Sequence, residues 1–128
     1  MFQYKKNQLY IENVSAESLA QKWGTPLYVY SAGRLLKNFH DFDQAFRAVP
    51  HLICYALKAN SNLSLARILS HEGAGTDIVS AGELFRALKA GFPPSKIVFS
   101  GVGKTRDEMR AAIQKKILMF NVESLEEL

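Results

Sequence analysis

A single lysine follows an apolar segment in the stretch CYALKANSN, residues 54 to 62. Lys58 stands where the apolar segment ends, and turn-forming polar residues follow at once. A lysine amine that is partly removed from water can be neutral and can attack an aldehyde as a nucleophile. A simpler interpretation is that its ammonium reaches past the end of a strand into water. Both interpretations place Lys58 at a strand end, where α/β folds bind their ligands.

Two acidic residues follow in the next predicted strand and helix. Asp77 lies near the carboxyl end of the strand next to that of Lys58, and adjacent strands are about 4.8 Å apart. If both side chains face the same way, Asp77 can pair with Lys58; otherwise Asp77 is a turn residue. Glu83 comes three residues after Ser80, as in a capping box, so we expect it to stabilise a helix start.

The stretch SGVGKT, residues 100 to 105, looks like the end of a phosphate-binding loop. The full pattern requires a glycine five residues before Gly103, and that position is Val98. A loop this short does not cradle phosphates. The sequence therefore favours a tight turn from a strand into a helix capped by Thr105.

The histidines and the cysteine do not indicate a metal site. His40, His51 and His71 lack metal-ligand spacing, and we expect them at the surface. Cys54 is the one cysteine, which excludes an internal disulfide and indicates a reducing, cytoplasmic compartment. Its position in mid-strand predicts a buried and unreactive thiol.

Composition narrows the possible partners. The net charge is +4, but the basic residues are scattered and no basic run alternates with aromatic residues. Nucleic-acid binding is therefore not predicted. We see no signal peptide at the start and no apolar run long enough to cross a bilayer, so we predict no membrane association.

The first 30 residues differ from the rest. Gln8–Val14 and Pro26–Tyr30 are predicted as strands, and Ser15 is expected to cap a helix over Ala16–Trp23. A longer helix begins after Ser31 and ends before Pro50. Its apolar residues recur at steps of three and four, so we expect that helix to pack on another element.

After residue 50 a unit repeats. Apolar strands are centred 20 to 24 residues apart and alternate with amphipathic helices, which is typical of a parallel sheet covered by helices. Because the chain stops in a helix that has barely begun, we expect half of a larger barrel or half of a doubly wound sheet. The predicted strands are His51–Leu57, Thr76–Val79, Lys96–Ser100 and Ile117–Asn121; the predicted helices are Leu63–His71, Ala81–Ala90 and Arg106–Lys115, with a fourth from Leu125.

Three of these helices begin with the same signature. Ser80 with Glu83, Thr105 with Glu108, and Ser124 with Glu127 each fit a capping box, in which hydroxyl and carboxylate bind each other's backbone amides.

Four sequence blocks carry more information than the spacing of the predicted elements. In chain order they are YALKANSN (55–62), GTDIVSAGEL (75–84), KAGFPPSKIVFSGVGKT (89–105) and FNVES (120–124). Together they closely resemble the diaminopimelate decarboxylases, which belong to the fold type III, alanine-racemase-like enzymes that use pyridoxal 5'-phosphate (PLP). The match runs from about Thr25 to Leu128. It implies an α/β fold, with residues 31–128 forming about four βα units of a TIM-like (β/α)8 barrel. Residues 1–30 would join a β-rich domain that the later part of the chain forms.

The resemblance also implies roles for the three candidate residues. Lys58 matches the family's catalytic lysine, which holds PLP covalently. Asp77 and Glu83 match two acids near that lysine and the cofactor. The implied reaction is the decarboxylation of meso-diaminopimelate to L-lysine and carbon dioxide, in a homodimer of full-length chains. The family's phosphate loop, pyridine-nitrogen acid and substrate arginine lie later in the chain, so these 128 residues alone are predicted to be inactive.

Other functions remain open at this point. Related PLP decarboxylases act on ornithine, arginine or carboxynorspermidine. The chain could also be a non-catalytic fragment that self-associates through exposed strand edges. A phosphate-binding module built on SGVGKT is the third possibility.

Overall fold

The computed structural model describes residues 2–128. The chain divides into two compact units, one up to Ala45 and one from Phe46 onward. None of the helices in the described part is both long and apolar enough to cross a membrane.

A small antiparallel sheet opens the first unit. A two-residue turn at Lys6 and Asn7, with φ of 48° and 63°, closes a hairpin that the sequence analysis missed. A second turn at Glu12 divides the predicted strand Gln8–Val14 in two. The strands are β1 (Phe2–Lys5), β2 (Gln8–Ile11) and β3 (Val14–Ser15), in that spatial order.

The helix α1 (Ala16–Trp23) has the predicted bounds. The Ser15 hydroxyl accepts a hydrogen bond from the Ser18 amide at 3.1 Å, and Gly24 ends the helix with φ of 78°. The predicted strand Pro26–Tyr30 is wrong. That segment is extended but makes no strand pairing among residues 2–128.

The helix α2 (Ala32–Ala45) begins where predicted and ends earlier than predicted. The Ser31 hydroxyl accepts from the Arg34 amide and donates to the Glu12 carboxylate at 2.7 Å. Glu12 also accepts from the Gly33 amide, and these two hydrogen bonds lower the pKa of Glu12. None of the residues of α2 is fully buried, and Phe42 on its apolar face is 54% accessible.

The second unit alternates strands and helices as predicted. Three of its strands are shorter than predicted, and the strand predicted over Thr76–Val79 keeps its length but begins one residue earlier. The elements are β4 (Cys54–Ala56), α3 (Leu63–His71), β5 (Gly75–Ile78), α4 (Ala81–Ala90), β6 (Ile97–Phe99), α5 (Arg106–Gln114) and β7 (Met119–Phe120), with short 3₁₀ helices at Leu57–Ala59 and Pro94–Lys96.

The strand order distinguishes a half barrel from a half doubly wound sheet. The four strands are all parallel and follow the chain order β4-β5-β6-β7 without a reversal. Right-handed crossovers then place every helix on the same face of the sheet. A doubly wound sheet requires a reversal of strand order, so the arrangement is that of consecutive barrel units.

The two faces of this sheet differ accordingly. Thr76, Ile78, Ile97 and Phe99 point to the helix-covered face and are fully buried. Alternate residues such as Asp77 point to the opposite face and are only partly buried. This second face, hereafter the open face, is bare of helices among the described residues.

The three predicted capping boxes are formed to different extents in the structure. Thr105 and Glu108 form a complete capping box. The Ser80 hydroxyl accepts from the Glu83 amide, but Glu83 binds the Val79 amide instead of that of Ser80. Residues 124–127 form a turn rather than the start of an assigned helix.

Candidate active site

Lys58 lies on the 3₁₀ helix that directly follows β4. Leu57 beside it is fully buried and anchors this turn, while Lys58 itself is exposed. Among residues 2–128, Lys58 has no hydrogen bond or ion pair. The amine therefore stands in water at the carboxyl edge of the sheet.

The polar residues after Lys58 shape the next turn. The Asn60 side chain accepts from the Asn62 amide at 3.0 Å, and the Asn62 side chain accepts from the Ser64 amide at 2.9 Å. The Tyr55 hydroxyl donates to the Asn60 carbonyl at 2.9 Å. These contacts turn the chain from the strand into α3 within four residues of Lys58.

Asp77 lies on the open face, in register with Ala56 of the neighbouring strand. Its Oδ1 atom accepts a hydrogen bond from the Ser100 hydroxyl at 2.5 Å. The structure therefore brings Asp77 to the strand adjoining the Lys58 turn. It does not form the direct ion pair between Asp77 and Lys58 that the sequence suggested.

Cys54 lies on the same face as Asp77. Its thiol is half-buried rather than fully buried as expected. Removal from water raises the pKa of this thiol, and the negative charge of Asp77 raises it further. The thiol is thus held protonated by its surroundings.

Glu83 lies in the first turn of α4. Its Oε2 atom accepts from the Val79 amide at 2.7 Å, while its own amide donates to Ser80. The loop between β5 and α4 is also held by Glu108, which accepts from the Ala81 amide at 2.9 Å. The helix-stabilising interpretation of Glu83 is confirmed, and a contact with a cofactor stays a prediction.

The polar groups of the SGVGKT loop are hydrogen-bonded to other residues of this chain. Lys104, whose side chain is 1% exposed, donates to the carbonyls of Gly101 and Asn121 and pairs with Glu127. The Gly101 amide donates to the Glu123 carboxylate at 2.8 Å. The ammonium and the amide that a phosphate would need are both bound to carboxylates, so this loop does not act as a phosphate site.

The histidines are exposed, as expected. Within residues 2–128, no group of three or more His, Cys, Asp or Glu side chains has the arrangement of a metal site.

Two polar residues at the strand ends were not identified from the sequence as site residues. Ser100 and Asn121 each follow the last residue of a strand, and the Asn121 amide group donates to the Ser100 hydroxyl at 2.9 Å. Their position in the sequence, a polar residue directly after an apolar strand, is the signal that could have identified them as candidate site residues. Lys58, Asp77, Ser100 and Asn121 thus come from four consecutive strands at one edge of the sheet.

Comparison with known proteins identifies the family. The family model described as "Pyridoxal-dependent decarboxylase, pyridoxal binding domain" matches residues 32–128. The chain belongs to the pyridoxal-dependent decarboxylase family. The family name agrees with the resemblance seen in the four sequence blocks.

Diaminopimelate decarboxylases are among the curated relatives of this chain. The enzyme of Vibrio cholerae is 56% identical over 128 residues, which cover 99% of this chain and 31% of that protein. The crystal structure of diaminopimelate decarboxylase from M. jannaschii, in complex with L-lysine, matches with a TM-score of 0.95 and 38% identity, over 99% of this chain and 31% of that one.

A more distant member confirms the fold alone. The lysine/ornithine decarboxylase of Vibrio vulnificus, in complex with cadaverine, matches with a TM-score of 0.79 and 24% identity, over 87% of this chain and 30% of that one. The chain spans about a third of the length of the curated relatives it matches.

Proposed function

We propose that this chain forms the cofactor-attachment part of a PLP-dependent decarboxylase that converts meso-diaminopimelate to L-lysine and carbon dioxide. One structural observation carries the proposal: the exposed amine of Lys58, which has no hydrogen bond or ion pair within residues 2–128, lies at the carboxyl edge of a parallel sheet, next to the strand that carries Asp77. The similarity to diaminopimelate decarboxylases supports the choice of substrate within the family.

The residues at this edge suit an aldehyde cofactor. A primary amine that no protein group binds is free to condense with an aldehyde. Lys58 would hold PLP at the end of β4, and Asp77 on the next strand would face it from the open side. Glu83, anchored at the start of α4, would lie close enough to support that edge.

When bound, PLP supplies the electron sink that accepts the bonding pair as the α-carboxylate leaves. Lys58 would hold the cofactor through its side-chain amine. The described residues offer no phosphate site in SGVGKT, so phosphate binding belongs to other parts of a full-length enzyme. A homodimer of such full-length chains is part of the same proposal, as is the assignment of residues 1–30 to a β-rich domain.

Covalent trapping tests this proposal. The protein at its full natural length is incubated with PLP, reduced with borohydride and mapped by peptide mass. We expect one adduct, on Lys58. The adduct should disappear in Lys58→Arg, which keeps the charge but cannot condense, and should persist in Lys115→Ala, which removes another exposed lysine. Labelling that is scattered over surface lysines would overturn the proposal.

The alternative of a self-associating, non-catalytic chain is favoured by one observation. The outer edges of β4 and β7 have no strand partner among residues 2–128, and Leu118 beside β7 is 48% exposed. Unpaired edges invite pairing with another copy. Sedimentation of the 128-residue chain tests this alternative, and a monomer at all concentrations would contradict it.

A further inference from the structure

We propose that Ser100 and Asn121 are positioning residues that orient the Asp77 carboxylate toward Lys58. The inference rests on the proposed function, because it concerns the same attachment lysine. It assigns a purpose to two strand-end residues and to the SGVGKT loop, which the proposed function leaves unused.

A chain of hydrogen bonds crosses three strands on the open face. Asn121, after β7, donates through Nδ2 to the Ser100 hydroxyl at 2.9 Å. Ser100, after β6, then directs its own proton to Oδ1 of Asp77 on β5 at 2.5 Å. Because the amide of Asn121 can only donate through Nδ2, it forces the hydroxyl of Ser100 to donate in the other direction. The direction of the chain is therefore fixed, and it ends on the carboxylate.

The buried ammonium of Lys104 holds both donors in place. Its Nζ atom donates to the carbonyl of Gly101, the residue after Ser100, at 2.5 Å and to the carbonyl of Asn121 itself at 2.7 Å. Its third bond goes to the Glu127 carboxylate, which satisfies the ammonium completely. Lys104 thus links the backbone after β6 to the backbone after β7, next to Ser100 and at Asn121 itself.

This chain occupies only one oxygen of Asp77. Among residues 2–128, Oδ2 accepts no hydrogen bond, and Asp77 pairs in register with Ala56, two residues before Lys58. The hydrogen bond from Ser100 to Oδ1 restricts rotation of the carboxylate and leaves Oδ2 open to a further partner. A carboxylate that faces a nitrogen stabilises a positive charge on that nitrogen.

The test measures the pH at which the visible absorption of bound PLP changes, using protein of full natural length. Ser100→Ala releases the Asp77 carboxylate, so the positive charge at the attachment nitrogen is lost more easily. We expect the midpoint to fall by about one pH unit. Ser100→Thr keeps the hydroxyl and should restore the midpoint. Val102→Ala, a change in an exposed side chain of the same loop, should leave the midpoint unchanged.

A double-mutant cycle separates positioning from general loosening of the fold. Asp77→Asn should lower the midpoint at least as far as Ser100→Ala, and the double variant should show no further fall, because both changes remove the same interaction. A midpoint that is unchanged in Ser100→Ala, or that falls additively in the double variant, overturns the inference.

The trapping experiment distinguishes this inference from the proposed function. A PLP adduct on Lys58 together with an unchanged midpoint in Ser100→Ala overturns the positioning role alone. Absence of an adduct on Lys58 overturns the proposed function and this inference with it.

Discussion

At the scale of single residues, the open face brings an amine, a carboxylate and a thiol to one sheet. The role of each is determined by its neighbours rather than by its type. Lys58 is exposed on the turn after β4 and has no partner among residues 2–128, whereas the buried ammonium of Lys104 binds two carbonyls and the Glu127 carboxylate. Two lysines that are 46 residues apart therefore differ in environment, one being exposed to solvent and the other buried in an ion pair.

The Cys54 thiol provides a test of the environment on the open face. Because its pKa is raised, it carries less thiolate at neutral pH than an ordinary thiol and should be alkylated slowly by iodoacetamide. Removing the charge of Asp77 with Asp77→Asn should speed the reaction and move its rise to lower pH. The chain unfolded in guanidinium serves as the control, and the single cysteine makes the labelling unambiguous. Faster labelling of the folded chain than of the unfolded chain would contradict the expected shift.

Gly75 is a residue whose lack of a side chain the packing requires. A Cβ at this position would lie 2.6 Å from the Lys96 carbonyl oxygen and 2.9 Å from the Cys54 sulfur. The strand backbone cannot move away cheaply, so Gly75→Ala should lower the free energy of unfolding by about 1–3 kcal/mol. Urea unfolding measures the change. Gly103→Ala is the matched control, since a Cβ there meets nothing within 4 Å; an equal loss in both variants would contradict the packing argument.

At the scale of elements, carboxylates connect two of the βα loops to the unit that follows them. Glu108 at the start of α5 binds the first amide of α4, and Glu123 after β7 binds the Gly101 amide after β6. The loops after β5 and β6 are thus each held by a carboxylate of the unit that follows. This arrangement stabilises the edge where the candidate site residues lie.

The capping box at α5 allows a direct measurement. Thr105→Ala removes the hydroxyl that accepts from the Glu108 amide, and should cost about 1 kcal/mol of stability. Thr105→Ser keeps the cap and should cost much less. Denaturant unfolding of the two variants checks this prediction, and an equal effect of both changes would show that the cap contributes little.

Glu108 should make stability depend on pH. Hydrogen bonds from the Ala81 amide, and then from the Thr105 amide and hydroxyl, lower its pKa below the ordinary value of 4.5. A lowered pKa in the folded state stabilises the fold above about pH 4.5, and this contribution is lost as the pH falls through the folded-state value. The stability difference between wild type and Glu108→Gln should therefore be largest near neutral pH and shrink in acid. A difference that does not depend on pH would refute this assignment.

At the scale of the whole molecule, the sheet has one covered face and one open face. Four parallel strands make half of an eight-stranded barrel, and water reaches the side where Lys58 and Asp77 lie. The isolated 128-residue chain is therefore expected to release no carbon dioxide from carboxyl-labelled meso-diaminopimelate. Radiometric detection against the protein at full natural length checks this, and release above the level of Lys58→Arg would refute it.

Much of the second unit follows from the sequence alone. The bounds of α3 and α4 are predicted to the residue, because Asn, Ser and Gly at their ends provide strong local caps. Apolar strands at regular spacing predict the parallel sheet, and the residues around Lys58 predict the attachment lysine. These signals are local, and local chemistry can be read in order along the chain.

Other features depend on contacts between distant residues. The sequence does not reveal the hydrogen-bond chain from Asn121 through Ser100 to Asp77, nor the ion pair between Lys104 and Glu127. The partners in each of these contacts are about 20 residues apart and meet only when the parallel strands align. The extended segment Pro26–Tyr30 has strand-forming residues, yet a strand requires a partner, and this segment pairs with no strand among residues 2–128. The sequence thus determined most of the helices and the strand rhythm, and it predicts Lys58 as the attachment lysine, whereas the tertiary structure decided which side chains share the open face.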